Sequence, residues 1–113
     1  MGATNFSTVG EGKTMRDAFN AAHAHASYMH GHGGYTGTIA EKTSVVEIVP
    51  PVGVTPDELI DAIETFSWKP TDEARKRFPA IDRWAKLYDD KWGPALSVKI
   101  GDGKWRFFGF ASE

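Results

Sequence analysis

The residues best suited to chemistry lie in one stretch, residues 30–42, which reads HGHGGYTGTIAEK. Its glycines expose backbone N–H groups, and hydroxyl, imidazole and phenol groups stand beside them, a combination that suits an anionic ligand. The predicted ligand-binding residues of this stretch are His30, His32, Gly33, Gly34, Tyr35, Thr36, Thr38, Glu41 and Lys42. The alternative is a plain connection between a helix and a strand, with glycines as turn residues.

The order of the glycines separates this stretch from the familiar phosphate-binding loops. A P-loop reads GxxxxGK[ST] between a strand and a helix, and a dinucleotide-binding loop reads GxGxxG at the start of a helix. Here the glycines follow a predicted helix and precede a predicted strand. The pattern therefore predicts a binding segment without assigning a nucleotide to it.

Four histidines lie in or next to this stretch, at positions 23, 25, 30 and 32. On a helix, His23 and His25 point about 200° apart, and His30 lies about 10.5 Å along the axis from His23. We therefore predict no metal site and no cofactor. An alternative is a small enzyme in which His30 or His32 acts as general acid or base together with Glu41, because imidazole titrates near neutral pH.

A second candidate wall of the site is DDKWGP, residues 89–94, where Asp90, Lys91 and Trp92 crowd the predicted end of a helix. A carboxylate and an ammonium group beside an aromatic ring are suited to ligand contact. Trp92 also continues the apolar stripe of that helix, which favours a place in the core. Both interpretations of Trp92 stay open at this point.

Residues 75–86 carry five basic side chains and form a second alternative site, for nucleic acid. Acidic residues four positions before three of them are typical of a solvated, self-paired helix surface. The formal net charge of the whole chain is −2, whereas nucleic-acid-binding domains are usually strongly basic. Nucleic acid is therefore not an expected partner.

The hydrophobic periodicity predicts one α+β domain over residues 1–113. Residues 6–12 read as a strand, residues 15–29 as a helix and residues 38–49 as β-branched strand. The last segment is either one long strand or two pieces broken near residues 42–44. Helices are predicted to start at Thr55 and near Thr71, the second of them broken at Pro79, before a hairpin turning at Gly101-Asp102-Gly103. The predicted order is β-α-β-α-α-β-β, in two layers, with the helices on one face of a mainly antiparallel sheet of about four strands.

The composition sets the expected cellular setting. The chain has no cysteine, which excludes thiolate chemistry and fits the reducing cytoplasm. It shows neither a signal-peptide pattern nor an apolar run of membrane-spanning length, so we expect a cytoplasmic protein that does not enter a membrane.

Three patches resemble a group of small uncharacterised proteins of bacteriophages and prophages. They are HGHGGYTGTIAEK, DKWGPA at residues 90–95 and the aromatic ending WRFFGFA at residues 105–111. The resemblance implies expression from a phage or mobile element and location in the host cytoplasm, and it carries no activity with it. Together with the binding segment, it leads us to expect a small binding protein that holds an anionic ligand or docks on a host protein.

Overall fold

A computed structural model describes residues 2–30, 37–66 and 71–112 of the 113-residue chain. The strands are β1 (Ala3–Glu11), β2 (Val45–Glu47), β3 (Ala95–Gly101) and β4 (Lys104–Ser112). The helices are α1 (Met15–His30), α2 (Pro56–Phe66), α3 (Asp72–Arg77) and α4 (Ile81–Asp89), with a 3₁₀ turn at Ile39–Glu41.

The strands form one sheet in the order β1-β4-β3-β2. β1 pairs antiparallel with β4 without a break in register, from Ala3 opposite Ser112 to Glu11 opposite Lys104. β3 and β4 form the predicted hairpin, where Gly103 adopts a φ of 67°, the left-handed conformation that such turns require. β2 runs parallel to β3, so the sheet is mixed but mainly antiparallel.

Both faces of the central hairpin are apolar, and both are covered by helices. Ala95, Trp105 and Phe107 pack against α1. The alternate residues of the same strands point the other way and pack against α2, α3 and α4, and they include Leu96 and Phe108.

The predicted α+β class, with helices packed on a mainly antiparallel sheet of four strands, is thus confirmed. The helices divide between the two faces, whereas the sequence analysis placed them on one. The physical reason is that β3 and β4 carry apolar residues on both faces of the sheet, so each face must be covered by helices.

The predicted helix starts are confirmed by their capping bonds. Thr14 Oγ1 accepts a hydrogen bond from the Asp17 backbone N–H (3.1 Å). At the start of α2, Thr55 Oγ1 accepts from the Glu58 N–H (3.2 Å) and donates to Glu58 Oε1 (3.1 Å). Each of these side chains satisfies a backbone group that the first turn of a helix leaves unpaired.

Of the two interpretations of residues 38–49, the single long strand is wrong: the segment is interrupted before β2, and its first piece is a 3₁₀ turn in place of a strand. Thr38 Oγ1 accepts from the Ala40 N–H (3.2 Å), and the Lys42 N–H donates to the Ile39 carbonyl (2.9 Å), which closes the 3₁₀ turn. Ile39 anchors this turn in the core beneath α1. Only β2 remains as strand, because a capping threonine and a buried isoleucine outweigh the local β propensity.

None of the helices in the described ranges has both the length and the apolarity that a membrane crossing requires.

Candidate functional site

The 3₁₀ turn and the segment after α4 meet at a buried lysine. The Lys42 side chain is 1% exposed, and its Nζ donates to the carbonyl oxygens of Asp90 (3.1 Å), Lys91 (3.3 Å) and Gly93 (3.0 Å). The same Nζ lies 6.0 Å from the centroid of the Phe6 ring. We call Lys42 together with residues 90–93 the lysine junction.

The electrostatics of the lysine junction follow from this burial. Removal of the ammonium group from water lowers the pKa of Lys42, while the negative charge of Asp90 opposes that change. Carbonyl oxygens just after α4 carry partial negative charge, which favours a cation there. Lys42 therefore holds the turn that follows α4, and its three hydrogen bonds use all three N–H groups of the ammonium.

The segment after α4 is folded into a turn of its own. Asp90 Oδ1 accepts from the Trp92 N–H (3.0 Å), and the Asp90 carbonyl accepts from the Gly93 N–H (3.0 Å). A Cβ atom at Gly93 would lie 2.9 Å from Asp90 Oδ2, so a larger residue there would displace the Asp90 side chain. The Asp90 carboxylate thus serves the turn itself.

Lys91 and Trp92 lie at the surface of this turn. Lys91 Nζ lies 5.3 Å from the centroid of the Trp92 ring and 3.4 Å from the Gly2 carbonyl. Trp92 is 66% exposed, so the interpretation of Trp92 as a core residue is wrong. α4 ends at Asp89, and the following turn carries Trp92 off the helical stripe that its spacing suggested.

The structure thus brings the two predicted walls together, with Lys42 as the link between them. Thr38 caps the 3₁₀ turn, and Glu41, half-buried, closes it. His30 is the last residue of α1, and its side chain is outside the described part. The remaining predicted site residues lie outside the described residues: His32, Gly33, Gly34, Tyr35 and Thr36.

A groove runs beside the lysine junction, between α1 and β1. One concavity of 370 Å³ includes Thr38 and Ile39 at its end, and a second of 350 Å³ continues along β1 toward Glu11. The two concavities share Thr8, Ala22 and His25. We call this continuous feature the α1–β1 groove. Its lining residues are Phe6, Ser7, Thr8, Val9, Gly10, Glu11, Ala21, Ala22, His25, Ala26, Met29, Thr38 and Ile39.

The α1–β1 groove exists because α1 presents small side chains to β1. Ala21, Ala22 and Ala26 form much of the helical wall, and they leave space that larger residues would fill. The opposite wall carries the hydroxyl group of Thr8. Volumes of 350–370 Å³ fall in the range of ligand pockets, which are mostly apolar with a few polar groups. The sequence analysis missed this feature, since the alanines look like ordinary helix residues.

His23 and His25 lie in different surroundings. The His23 ring lies against Phe19, with a centroid distance of 5.8 Å, while His25 lines the α1–β1 groove. Within residues 2–30, 37–66 and 71–112, no group of three or more histidine, aspartate or glutamate side chains is arranged to hold a metal ion.

The basic surface of residues 75–86 is partly paired with acids. Arg75 contacts Asp72 (3.2 Å) and Asp82 (3.0 Å), and Arg77 contacts Glu58 on α2. The hydrogen bond that Arg75 donates to Asp82, together with the negative charge of Asp82, raises the pKa of Arg75. These partners differ from the i,i+4 pairs predicted from the sequence, because Arg75 also reaches across the break at Pro79 to α4.

Comparisons of the chain with protein-family models, with curated proteins and with solved structures find no match.

Proposed function

We propose that this chain is a binding protein whose ligand occupies the α1–β1 groove. The observation that carries the proposal is the groove itself: two concavities that join along one edge of the sheet and end at Thr38 and Ile39. Thr38 belongs to the glycine-rich stretch that the sequence marks as a binding segment. The proposed site therefore includes Thr38 and Ile39 of that stretch and extends from them along β1.

The chemistry of the groove favours a neutral, partly apolar ligand surface over a small anion. Among its described lining residues, the ionisable side chains are His25 and Glu11, and Glu11 is paired with Lys104 at 3.8 Å. Lys42, the cation nearest to Thr38 in the sequence, points its Nζ at the lysine junction instead. Of the two expected functions, docking on another protein is thus favoured over binding of an anionic ligand. The resemblance to phage proteins suggests a host cytoplasmic protein as the partner.

The test compares two substitutions on the same helix. Ala21 and Ala24 are both exposed on α1, but only Ala21 lines the groove. Ala21→Trp adds bulk to the second concavity of the groove, which contains Thr8, Ala22 and His25, whereas Ala24→Trp adds the same bulk outside the groove. Backbone amide NMR shifts of each protein are recorded against a panel of small organic fragments, short peptides and inorganic phosphate.

We expect ligands from the panel to shift amides around Thr8, Ala22 and His25, and these shifts to be lost in Ala21→Trp but kept in Ala24→Trp. Shifts centred on Arg75 and Arg77, or on Lys91 and Trp92, would contradict the proposal. Phosphate binding that survives Ala21→Trp would also place the site elsewhere.

A further inference from the structure

β1 forms one edge of the sheet, and its backbone has a definite polarity toward that edge. The Gly12 N–H donates to the Gly103 carbonyl (3.0 Å), which continues the β1–β4 register by one residue. In an antiparallel pair, hydrogen-bonded positions alternate, so the even-numbered residues of β1 are bonded to β4. The N–H and C=O groups of Ala3, Asn5, Ser7, Val9 and Glu11 therefore point away from β4, toward the open edge.

Within the described residues, β1 lacks several features that protect edge strands against pairing. Natural edge strands are commonly shortened, bulged, or interrupted by lysine or proline. β1 is nine residues long, contains neither lysine nor proline, and keeps its register with β4 without a shift. In the sheet as described, β4 is its only neighbour.

The two sides of the edge differ in chemistry. On the α1 side lies the α1–β1 groove, with its alanines and hydroxyl groups. On the other side, Ser7 borders a concavity of 200 Å³ that is rich in carboxylates. Its charged lining residues are Asp57, Asp61, Glu64 and Arg106. Arg106 donates to Ser7 Oγ (3.0 Å), and three acids around one guanidinium leave this side negative.

We propose that the ligand of the α1–β1 groove is an extended segment of a partner protein, which adds to β1 as a fifth strand. The inference rests on the proposed function and specifies its ligand. Side chains of an added strand alternate between the two faces of the sheet. One set would enter the groove beside α1 and the other would face the acidic concavity, so the matching segment alternates apolar with basic residues.

A single extended segment fits this edge better than a second copy of the chain. Nine residues of strand span about 30 Å, which suits one peptide, whereas a stable dimer usually buries about 800 Å² of each partner. Pairing of β1 with its own symmetry mate would also bring the acidic sides of Asp61 and Glu64 toward their counterparts. Repulsion between these like charges opposes association.

The experiment uses a displayed library of nine-residue peptides, selected on the full chain and counter-selected on Ala21→Trp. Amide hydrogen exchange is then measured with and without a selected synthetic peptide. We expect the outward amides of Asn5, Ser7 and Val9 to become protected on binding. The inward amides of Phe6 and Thr8, already bonded to β4, should change little. We also expect the selected peptides to alternate apolar and basic residues.

A proline scan of the edge provides the matched variant. Val9→Pro removes one outward N–H and leaves the ladder to β4 intact, so we expect the affinity for the peptide to fall about tenfold or more. Val9→Thr changes the same side chain but keeps the N–H, so the difference in affinity between Val9→Pro and Val9→Thr isolates the contribution of that N–H. Unchanged exchange at Thr8 in Val9→Pro verifies that the sheet is still formed.

Three outcomes would overturn strand addition. In the first, a peptide binds and is blocked by Ala21→Trp, but the outward amides stay unprotected; the groove would then be the site without any strand pairing. In the second, the outward amides become protected at high protein concentration without peptide, so that the occupant is a second copy. In the third, no peptide binds while organic fragments still shift groove amides. The groove would then remain the binding site, but its ligand would not be a peptide.

Discussion

The lysine junction and the α1–β1 groove lie side by side and use their side chains in opposite ways. At the lysine junction, a charged residue is buried and donates three hydrogen bonds to carbonyl oxygens of the same chain. In the groove, alanines and hydroxyl groups enclose space that the described residues leave open. A charged side chain thus stabilises the fold at the lysine junction, whereas small and hydroxyl-bearing side chains form the candidate site.

The difference teaches that a cluster of polar residues in a sequence has two possible uses, and that topology decides between them. Lys42 lies beneath the turn at Asp90 because it directly follows the 3₁₀ turn, which is anchored in the core by Ile39. The groove, by contrast, exists because small side chains leave space between α1 and β1.

The largest effect that separates the two regions is expected for Lys42→Met. The substitution keeps much of the buried side-chain volume but removes three hydrogen bonds to carbonyl oxygens, so we expect a loss of about 2–3 kcal/mol in the free energy of unfolding. Urea denaturation measures it. Lys91→Met, at the half-buried neighbour, should cost less than about 0.5 kcal/mol. Equal losses would show that the lysine junction contributes no special stability.

Gly10→Ala tests how tightly α1 is held against β1 at the floor of the groove. A Cβ atom there would lie 2.3 Å from the Ala18 carbonyl oxygen, so that α1 must shift, at a cost of about 1–3 kcal/mol. Gly101→Ala is the control, because a Cβ atom at Gly101 meets nothing within 4 Å. Thermal unfolding of both variants gives the comparison. A stable Gly10→Ala protein would mean that α1 is free to move and that the groove has no fixed width.

The smallest effect is expected for Glu64→Gln, on the acidic side of β1. Burial, and secondarily the charge of Asp61, raise the pKa of Glu64, and Arg106 only partly opposes them. The ionised carboxylate therefore costs stability above its raised pKa, and the glutamine variant should be slightly more stable there, by less than about 0.5 kcal/mol.

The gain from Glu64→Gln should vanish as the pH falls below 4.5, the ordinary value for a glutamate. Urea denaturation at pH 7 and at pH 3.5 tests this dependence. A gain of the same size at both pH values would show that the charge of Glu64 is not its cause.

Much of the fold could be predicted from the sequence, because its signals are local. Threonine caps, the break at Pro79 and the glycine turn between β3 and β4 each act over a few residues. The second helical layer was not predicted, since it depends on which strands end up central, and the order of strands is a long-range property.

The candidate site could be predicted only at its end, near Thr38. Burial of Lys42 arises from contacts some fifty positions away in the chain, and no local pattern reports it. The groove arises from two elements that are each unremarkable alone. The outward polarity of β1 follows only from its register with β4, which a sequence does not fix by itself.

The burial of Lys42 also governs its reactivity toward acylating reagents. Such reagents attack the uncharged amine, and they must reach it first; an amine that is 1% exposed is shielded by its own hydrogen bonds. Surface lysines such as Lys99 would be modified quickly, whereas labelling at position 42 would have to wait for the turn after α4 to open. The rate of that single modification, measured by mass spectrometry, would report how often the turn after α4 opens.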